Sequence, residues 1–375
     1  MRVRVARQLS VRARSRCRAL AIVVLVAGGV IAVTAAPAYA HGVGGVQPRN
    51  DETKLLRVAP HIPGVELTVV DLGDGLQLTN DTPHDVIVLG YDGEPYLRVG
   101  PRGVFENTRS PATYLNRSRI PMSKPPKRAD SSARPVWHKV SSGITTTWHD
   151  HRAHFMGSED PPNVRRNPSI RRVIDRWTVE LRTEGRTIRA SGELVWVPPP
   201  SPWPSVAIAI AIALGVVLLT RTSVWRDALA TALALLVLSD LAHVVGLWNA
   251  TTATTASNLR ESAYSLAGVA LGVFALAWMW RRGAESAMPL VLIAAIFLFV
   301  AGGLADVSTL GHSLVPTTFP TVVARLLVTL DLGLGAGLAT AAALRLRQPL
   351  RARGDERSES LARSERPRAG YPGSQ

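Results

Sequence analysis

The feature that most constrains this chain is a series of five apolar blocks in its C-terminal half. A helix needs about 20 apolar residues to cross the hydrocarbon core of a bilayer. Each block approaches that length, and the first is the shortest. We therefore predict five transmembrane helices within residues 205–345, at about 205–220, 228–248, 262–280, 287–305 and 321–344.

The connections between these blocks alternate in charge. One set is basic and the other is rich in Thr and uncharged residues. Because basic loops favour the cytoplasm, we expect a multi-pass plasma-membrane protein with a cytoplasmic C-terminus and an extracytoplasmic N-terminal domain. The tail 346–375 has few apolar residues, which predicts disorder. The basic set is Arg221/Arg226, Arg281/Arg282 and the tail; the other set is 249–258 and 307–320.

The N-terminus agrees with this topology. Residues 1–40 have an Arg-rich start, an apolar run and the small-x-small sequence Ala38-Tyr39-Ala40, which together predict a secretory signal peptide. Cleavage there would leave His41 as the first residue; an uncleaved anchor helix is the alternative. The only cysteine, Cys17, would be removed with the signal, so the mature chain would have no thiol.

Residues 41–197 form the predicted extracytoplasmic domain. Apolar and polar residues alternate within 64–105, 136–148 and 176–197, a pattern typical of strands, and Glu184-Gly185 is expected to turn the last hairpin. Many short strands without helical periodicity predict an antiparallel β-sandwich, and hence an α+β membrane protein overall. The segment 116–135 has no apolar period and is expected to be a surface loop. The Pro-rich residues 198–204 predict a stiff linker to the membrane.

The formal net charge of +15 suggests an acidic partner such as nucleic acid. The excess lies at the chain ends: residues 1–20 carry seven arginines and no acid, and the tail from Arg345 carries eight arginines and four acids. The exported segment 41–203 is nearly balanced, with 22 basic and 18 acidic residues. A nucleic-acid-binding domain needs a basic face. We therefore expect membrane lipid, and no nucleic acid, as a partner.

The segment from Trp148 to Met156 is the first candidate metal site, because it contains three imidazoles and a thioether. In a strand, His149 and His151 would share a face; in a helix, His151 and His154 would be neighbours. Without thiols, such a site would take copper or zinc through nitrogen, and Met156 would suit a cuprous ion. The alternative is a solvated loop whose rings stack on Trp148 and Phe155.

The second candidate is His41, whose amine and imidazole would chelate copper(II) after cleavage. With a β-rich exported domain attached to a membrane block, this junction resembles the periplasmic copper-resistance proteins of the CopC type. Those are small β-sandwiches whose mature chain begins with a copper-binding histidine. Here Gly42-Val43-Gly44-Gly45 replaces the usual continuation, and His149-x-His151 is the nearest equivalent of the family's Asp-x-His pair. The resemblance implies copper binding; the alternative is that cleavage before His41 is incidental.

Polar residues within the apolar blocks form a third candidate site. Asp240 and His243 are one turn apart in the second block, while Asp306 ends the fourth and Arg325 and Asp331 lie in the fifth. At 1.5 Å per residue, Asp240 is roughly 12 Å below Trp248 and Arg325 roughly 8 Å below Pro320. Either Arg325 pairs with Asp240 or Asp331, or the group forms an ion or proton path. Gly333-x-x-x-Gly337 predicts a close helix contact.

From these features we expect a membrane-anchored protein that binds copper, or zinc, outside the cell for capture, buffering or handover to its membrane block. A structural or sensory envelope protein, whose exported domain binds a protein or cell-wall partner, is the alternative. An oxidative copper enzyme using His41 is a third possibility. The sequence has no Gly-rich phosphate loop, HExxH motif, nucleophile elbow or dinucleotide fingerprint, which disfavours nucleotide-driven transport and common hydrolases.

Overall fold

The computed structural model describes residues 46–117, 124–157, 159–250, 252 and 255–347. The expected signal peptide, the candidate ligand His41 and the tail beyond residue 347 lie outside these residues.

The N-terminal part of the described chain is built from ten antiparallel strands in two sheets. The seven-stranded sheet has the order β1-β10-β9-β4-β5-β6-β7, and the three-stranded sheet has the order β2-β3-β8. The strands are β1 (Asp51–Ala59), β2 (Val65–Val70), β3 (Gly75–Asn80), β4 (Val86–Leu89), β5 (Pro95–Gly100), β6 (Gly103–Asn107), β7 (Trp137–Ser141), β8 (Thr145–Trp148), β9 (Arg172–Thr183) and β10 (Arg186–Trp196).

The turn between β9 and β10 follows directly from its sequence. Glu184 and Gly185 both have positive φ, 47° and 74°, and Thr183 pairs with Arg186 on either side of them. Two left-handed residues form the hairpin turn whose twist matches that of the strands. The Glu184-Gly185 turn predicted from the sequence is therefore confirmed.

Both sheets contribute side chains to one hydrophobic cluster. Leu67, Leu76 and Leu78 come from the three-stranded sheet, and Val88 and Leu181 come from the seven-stranded sheet. All five are at most 5% exposed. Alternation along β2, where Val65 and Leu67 are buried and Glu66 is exposed, shows how the period-two pattern directs one face inward.

The C-terminal part is helical. Among the described residues, four helices are long and apolar enough to cross a membrane: Trp225–Trp248, Ala263–Arg282, Ala284–Leu304 and Thr321–Arg347. The first predicted span is a helix of 17 residues, Trp203–Leu219, which is apolar but shorter. The helices are α1 (Ala112–Leu115), α2 (Pro162–Arg166), α3 (Trp203–Leu219), α4 (Trp225–Trp248), α5 (Thr255–Glu261), α6 (Ala263–Arg282), α7 (Ala284–Leu298) and α8 (Thr321–Arg347).

Two local features differ from the sequence expectation. The fourth apolar block is not a uniform α-helix, because α7 passes into a π-helical segment at Phe299–Leu304. The Thr-rich connection after α4, expected to be a loop, contains the short helix α5. A π-helix widens the backbone by one residue per turn and is frequent at functional sites. Here it leads directly to Asp306.

The predicted glycine contact is present between α8 and α3. A Cβ added at Gly333 would lie 2.8 Å from Ala209 O, and one at Gly337 would lie 3.0 Å from Ala213 O. A methyl group at either position would force its neighbours to move, so the two glycines allow the helix backbones to approach closely. This contact holds α3 against the rest of the bundle.

Candidate functional site

The His-rich segment forms a turn after β8, rather than the strand or helix considered from its sequence. Its centre is Asp150, which is 1% exposed. Asp150 Oδ2 accepts a hydrogen bond from Trp148 Nε1 at 3.0 Å. Its two oxygens also accept from Arg152 Nε and Nη2, both at 2.8 Å. The backbone turn is closed by Ala153 N, which donates to Asp150 O at 2.8 Å.

Arg152 joins this turn to the end of β4. Its Nη2 donates to Leu89 O at 3.1 Å, and its guanidinium lies 5.0 Å from the centre of the Tyr91 ring. The Tyr91 hydroxyl donates to Asn116 Oδ1 and accepts from His151 N at 3.1 Å. A carboxylate held by a bidentate arginine gives a strong, directional pair. The contacts of this segment therefore connect the turn after β8 with the end of β4 and, through Tyr91, with Asn116.

The surroundings of this turn favour a neutral Tyr91 phenol and a charged Arg152 guanidinium paired with Asp150. Burial, reinforced by the negative charge of Asp150, raises the pKa of Tyr91 well above its usual range. Burial opposes the charge of Arg152, but the hydrogen bonds and charge of Asp150 outweigh it and raise the pKa of the guanidinium. Both groups therefore keep one protonation state across the neutral range.

The three histidines have different surroundings. His149 Nδ1 lies 2.7 Å from Asp74 O, so this ring is directed toward the turn before β3. The rings of His151 and His154 meet edge to face, with centroids 5.4 Å apart. His151 also stacks on Tyr91, with ring centroids 6.1 Å apart. His154 is 3% exposed, and Met156 is half-buried.

These positions bring two imidazoles together rather than three. Within the described residues, no group of three or more His, Cys, Asp or Glu side chains is arranged to hold a metal ion. His41 lies outside the described residues. Among the described residues, the segment from Trp148 to Met156 thus offers the His151–His154 pair as its nearest approach to a ligand set.

The membrane helices contain a second cluster of ionisable groups, and this one is fully enclosed. Asp240 and Asp331 are each 0% exposed, His243 is 4% and Asp306 is 7%. They come from α4, from α8 and from the residue pair that follows the π-helix. Three carboxylates and one imidazole are therefore enclosed at the interface of the longest helices.

The contacts within this cluster link its members in pairs. His243 Nε2 lies 3.1 Å from Asp306 Oδ2. The Ser265 hydroxyl of α6 donates to Asp240 Oδ1 at 3.3 Å. A Cβ added at Gly302 would lie 2.1 Å from Asp240 Oδ1 and 3.0 Å from Asp331 Oδ2. The carboxylates of Asp240 and Asp331 thus converge on the same glycine of the π-helix.

Asp331 is the least compensated member. In the described part of the chain, neither of its oxygens has a hydrogen bond of good geometry. The Ser239 hydroxyl lies close to it but donates to Leu327 O at 3.1 Å. A buried ionised carboxylate without such bonds is costly, so a proton shared within the cluster is the simplest compensation.

Arg325 does not compensate these charges. Its Nη2 donates to His312 O at 2.8 Å in the connection before α8. Among the described residues it forms no ion pair with Asp240 or Asp331, so this structure does not contain the Arg325 pair that was one of the two alternatives. Depth places residues along the membrane normal, but rotation about α8 determines which helix each side chain faces.

No protein-family model, curated protein or solved structure matches the chain.

The cluster contains residues that sequence reasoning did not assign to it. Gly302 and Ser265 were missed, and the His243–Asp306 pair was not foreseen although both residues were noted. The Gly302-Gly303 pair, four residues before Asp306, was the available signal, because adjacent glycines in an apolar helix allow close approach of another group. Chemically, the arrangement can accept, hold and pass a proton between carboxylates and an imidazole.

Proposed function

We propose that this chain is a polytopic membrane protein that takes up and releases protons at the buried cluster of Asp240, His243, Asp306 and Asp331, the elementary step of proton-coupled transport. The observation that carries this proposal is the enclosure of three carboxylates and an imidazole between apolar helices. Ionisable groups within membrane helices are costly and mark ion or proton pathways by default.

A proton fits this cluster better than a metal ion does. A metal needs several ligands at similar short distances, and the described residues offer no such group. A proton needs only two neighbouring atoms, and His243 Nε2 and Asp306 Oδ2 are 3.1 Å apart. Asp240 lies one helical turn from His243 on α4, which permits transfer between the pair and the two deeper carboxylates.

The proposal includes five membrane spans, with α3 as the first. Its 17 residues extend about 26 Å, close to the hydrocarbon thickness of about 30 Å. Its apolar side chains, such as Ile210 and Leu214, are more than half exposed in the protein alone, as lipid-facing residues would be. The shared core of the two sheets likewise supports a β-sandwich for the domain before it.

In this topology the sandwich is extracytoplasmic and the C-terminus cytoplasmic, as the distribution of arginines favours. Reporter fusions after Gln375 and near Pro199 test it. We expect the reporter after Gln375 to lie in the cytoplasm and the reporter near Pro199 to lie outside it. Two reporters on the same side would contradict an odd number of spans.

Proton binding is tested by infrared titration of the purified full chain in lipid. The C=O stretching band of buried protonated carboxyl groups should change with pH, and Asp331→Asn and Asp240→Asn should each remove part of that change. Asp227→Asn is the matched control, because Asp227 lies exposed in the first turn of α4. A titration unaltered by either cluster variant would contradict the proposed function.

Metal capture by the exported domain is a second candidate, favoured by the 5.4 Å separation of the His151 and His154 rings. Two imidazoles can hold copper(I), and with His41 they would supply the nitrogen ligands that copper prefers, with zinc as the alternative. We expect His151→Ala to lower copper binding by the full chain, and the exposed His138→Ala to leave it unchanged. Equal copper content in both variants would exclude this pair.

A further inference from the structure

The exported domain is bonded to the connection between the π-helix and α8, which we call the outer connection (residues 307–320). Arg49 and Leu314 form a two-way backbone bridge, with each N–H donating to the other carbonyl at 2.9 Å. Beside it, Ser313 N donates to Asn50 Oδ1 at 2.9 Å. The Ser313 hydroxyl also lies 2.6 Å from Pro198 O. Residues before β1 and after β10 thus hold the same two residues of the outer connection.

This attachment has a firm base within the exported domain. Arg49 is 6% exposed and forms a bidentate pair with Asp74, with Nη1–Oδ1 at 2.7 Å and Nη2–Oδ2 at 2.5 Å. Asp74 O in turn accepts the contact from His149 Nδ1 at 2.7 Å. A buried bidentate pair holds the arginine in one orientation. The Arg49 backbone that bonds Leu314 is therefore held in place by the β-rich domain.

From this attachment the outer connection leads directly to the proton-binding cluster. His312 Nδ1 lies 2.7 Å from Ser308 O, and Thr309 N donates to Asp306 O at 2.9 Å. Thr309 and Leu310 are 2% and 1% exposed, so this stretch is packed rather than loose. A displacement at Ser313 would therefore be transmitted to Asp306.

We propose that Asn50 and Arg49 of the exported domain are positioning residues for Asp306, an inference that rests on the proton-binding function proposed above. By holding Ser313 and Leu314, they set how Asp306 meets His243. The groups that face this pair are Asp240 on α4 and Asp331 on α8, while Arg325 is engaged by His312 O. The exported domain thereby controls the outermost acid of the cluster.

The test is the same infrared titration of the full chain in lipid, applied to variants at position 50, whose side chain accepts the hydrogen bond from Ser313 N. Asn50→Ala removes the acceptor for Ser313 N, whereas Asn50→Gln keeps a neutral amide oxygen to accept from it. We expect Asn50→Ala to move the midpoint of the cluster's carboxyl band by about one pH unit, a roughly tenfold change in proton affinity. Asn50→Gln should keep a midpoint close to that of the parent.

The matched control is Asn249→Ala, which breaks a bond from an exposed asparagine to Val245 O at the outer end of α4. It should leave the midpoint unchanged. If the band titrates and responds to Asp331→Asn, but Asn50→Ala behaves like Asn249→Ala, the positioning role is overturned while the proposed function stands. If no cluster band titrates in any variant, the proposed function itself fails.

Discussion

His243 Nε2 and Asp306 Oδ2 lie 3.1 Å apart within the helical bundle, and both residues are at most 7% exposed. Removing one partner leaves the other buried and unpaired, which costs about 3–5 kcal/mol. We therefore expect His243→Leu and Asp306→Leu each to lower thermal stability strongly, and the double Leu variant to recover much of the loss. Asp306→Leu and the double variant should lack part of the carboxyl titration, whereas His243→Leu should shift its midpoint. A double variant as unstable as each single one would argue against a mutual pair.

Gly302 lies between the carboxylates of Asp240 and Asp331 and offers a sharper test of the cluster. A Cβ at Gly302 would lie 2.1 Å from Asp240 Oδ1, so Gly302→Ala must displace that carboxylate or the π-helix. We expect a loss of about 1–3 kcal/mol and an altered carboxyl titration. Gly215→Ala on α3 is the control, because nothing lies within 4 Å of its added Cβ. Equal behaviour of the two variants would show that Gly302 does not adjoin the carboxylates.

The close contact between α8 and α3 at Gly337 predicts an effect on stability alone. Its added Cβ would lie 2.9 Å from Val216 Cβ and 3.0 Å from Ala213 Cα. Gly337→Ala should therefore separate α8 from α3 and lower the melting temperature. Gly311→Ala, whose Cβ would meet nothing within 4 Å, should have a much smaller effect. Thermal denaturation in detergent would decide, and an unchanged melting temperature in Gly337→Ala would exclude close packing at this point.

In the β-rich domain, the Asp150–Arg152 pair should dominate the local stability. Asp150→Asn keeps the shape but removes the charge that faces a guanidinium with only 24% of its side chain exposed. We expect a loss of about 3 kcal/mol. Glu159→Gln breaks a pair whose side chains are 54% and 73% exposed and should have almost no effect. Comparable losses in the two variants would contradict the central role of Asp150.

The buried phenol of Tyr91 predicts a loss of folding stability at alkaline pH. Burial raises the pKa of this phenol above its usual value of about 10. Above that pH the unfolded chain loses the proton while the folded domain retains it, so the stability present below about pH 10 declines as pH rises. We expect Tyr91→Phe to be less stable at pH 7, having lost two hydrogen bonds, but to decline less steeply above pH 10.

Melting temperatures across this alkaline range would test the effect of Tyr91. Tyr264→Phe, at an exposed position of α6, serves as the control and should follow the parent protein. Tyr96, whose pKa burial also raises, would account for the decline that remains in Tyr91→Phe. An identical slope in Tyr91→Phe and in the parent would contradict the role of Tyr91.

Much of this architecture could be predicted from the sequence because its causes are local. Membrane helices need long apolar runs, so four blocks predicted from composition match helices long enough to span a bilayer. The Glu184-Gly185 turn was predictable because two left-handed residues suit one turn type. Strand β1 was missed, since Asp51-Glu52-Thr53-Lys54 has no apolar alternation. It is formed by pairing with β10.

The site could be predicted only in part because its partners are distant in sequence. The residues from Trp148 to Met156 suggest histidine chemistry, yet the acceptors that fix the turn, such as Leu89 O, belong to another strand. The same limit applies to Arg325, whose partner is a backbone carbonyl that no residue pattern indicates. Candidate residues were therefore identifiable, whereas their pairing required the fold.

The order in which the cluster's members are synthesised follows from the position of α8 in the chain. Asp240 and His243 leave the ribosome with α4, but Asp331, and the glycine face that receives α3, belong to the last of the described helices. Domains form progressively during synthesis, so the early helices enter the bilayer carrying polar groups whose neighbours do not yet exist. A truncated chain lacking α8 would expose Asp240 between unpacked helices and would be a ready substrate for membrane quality control.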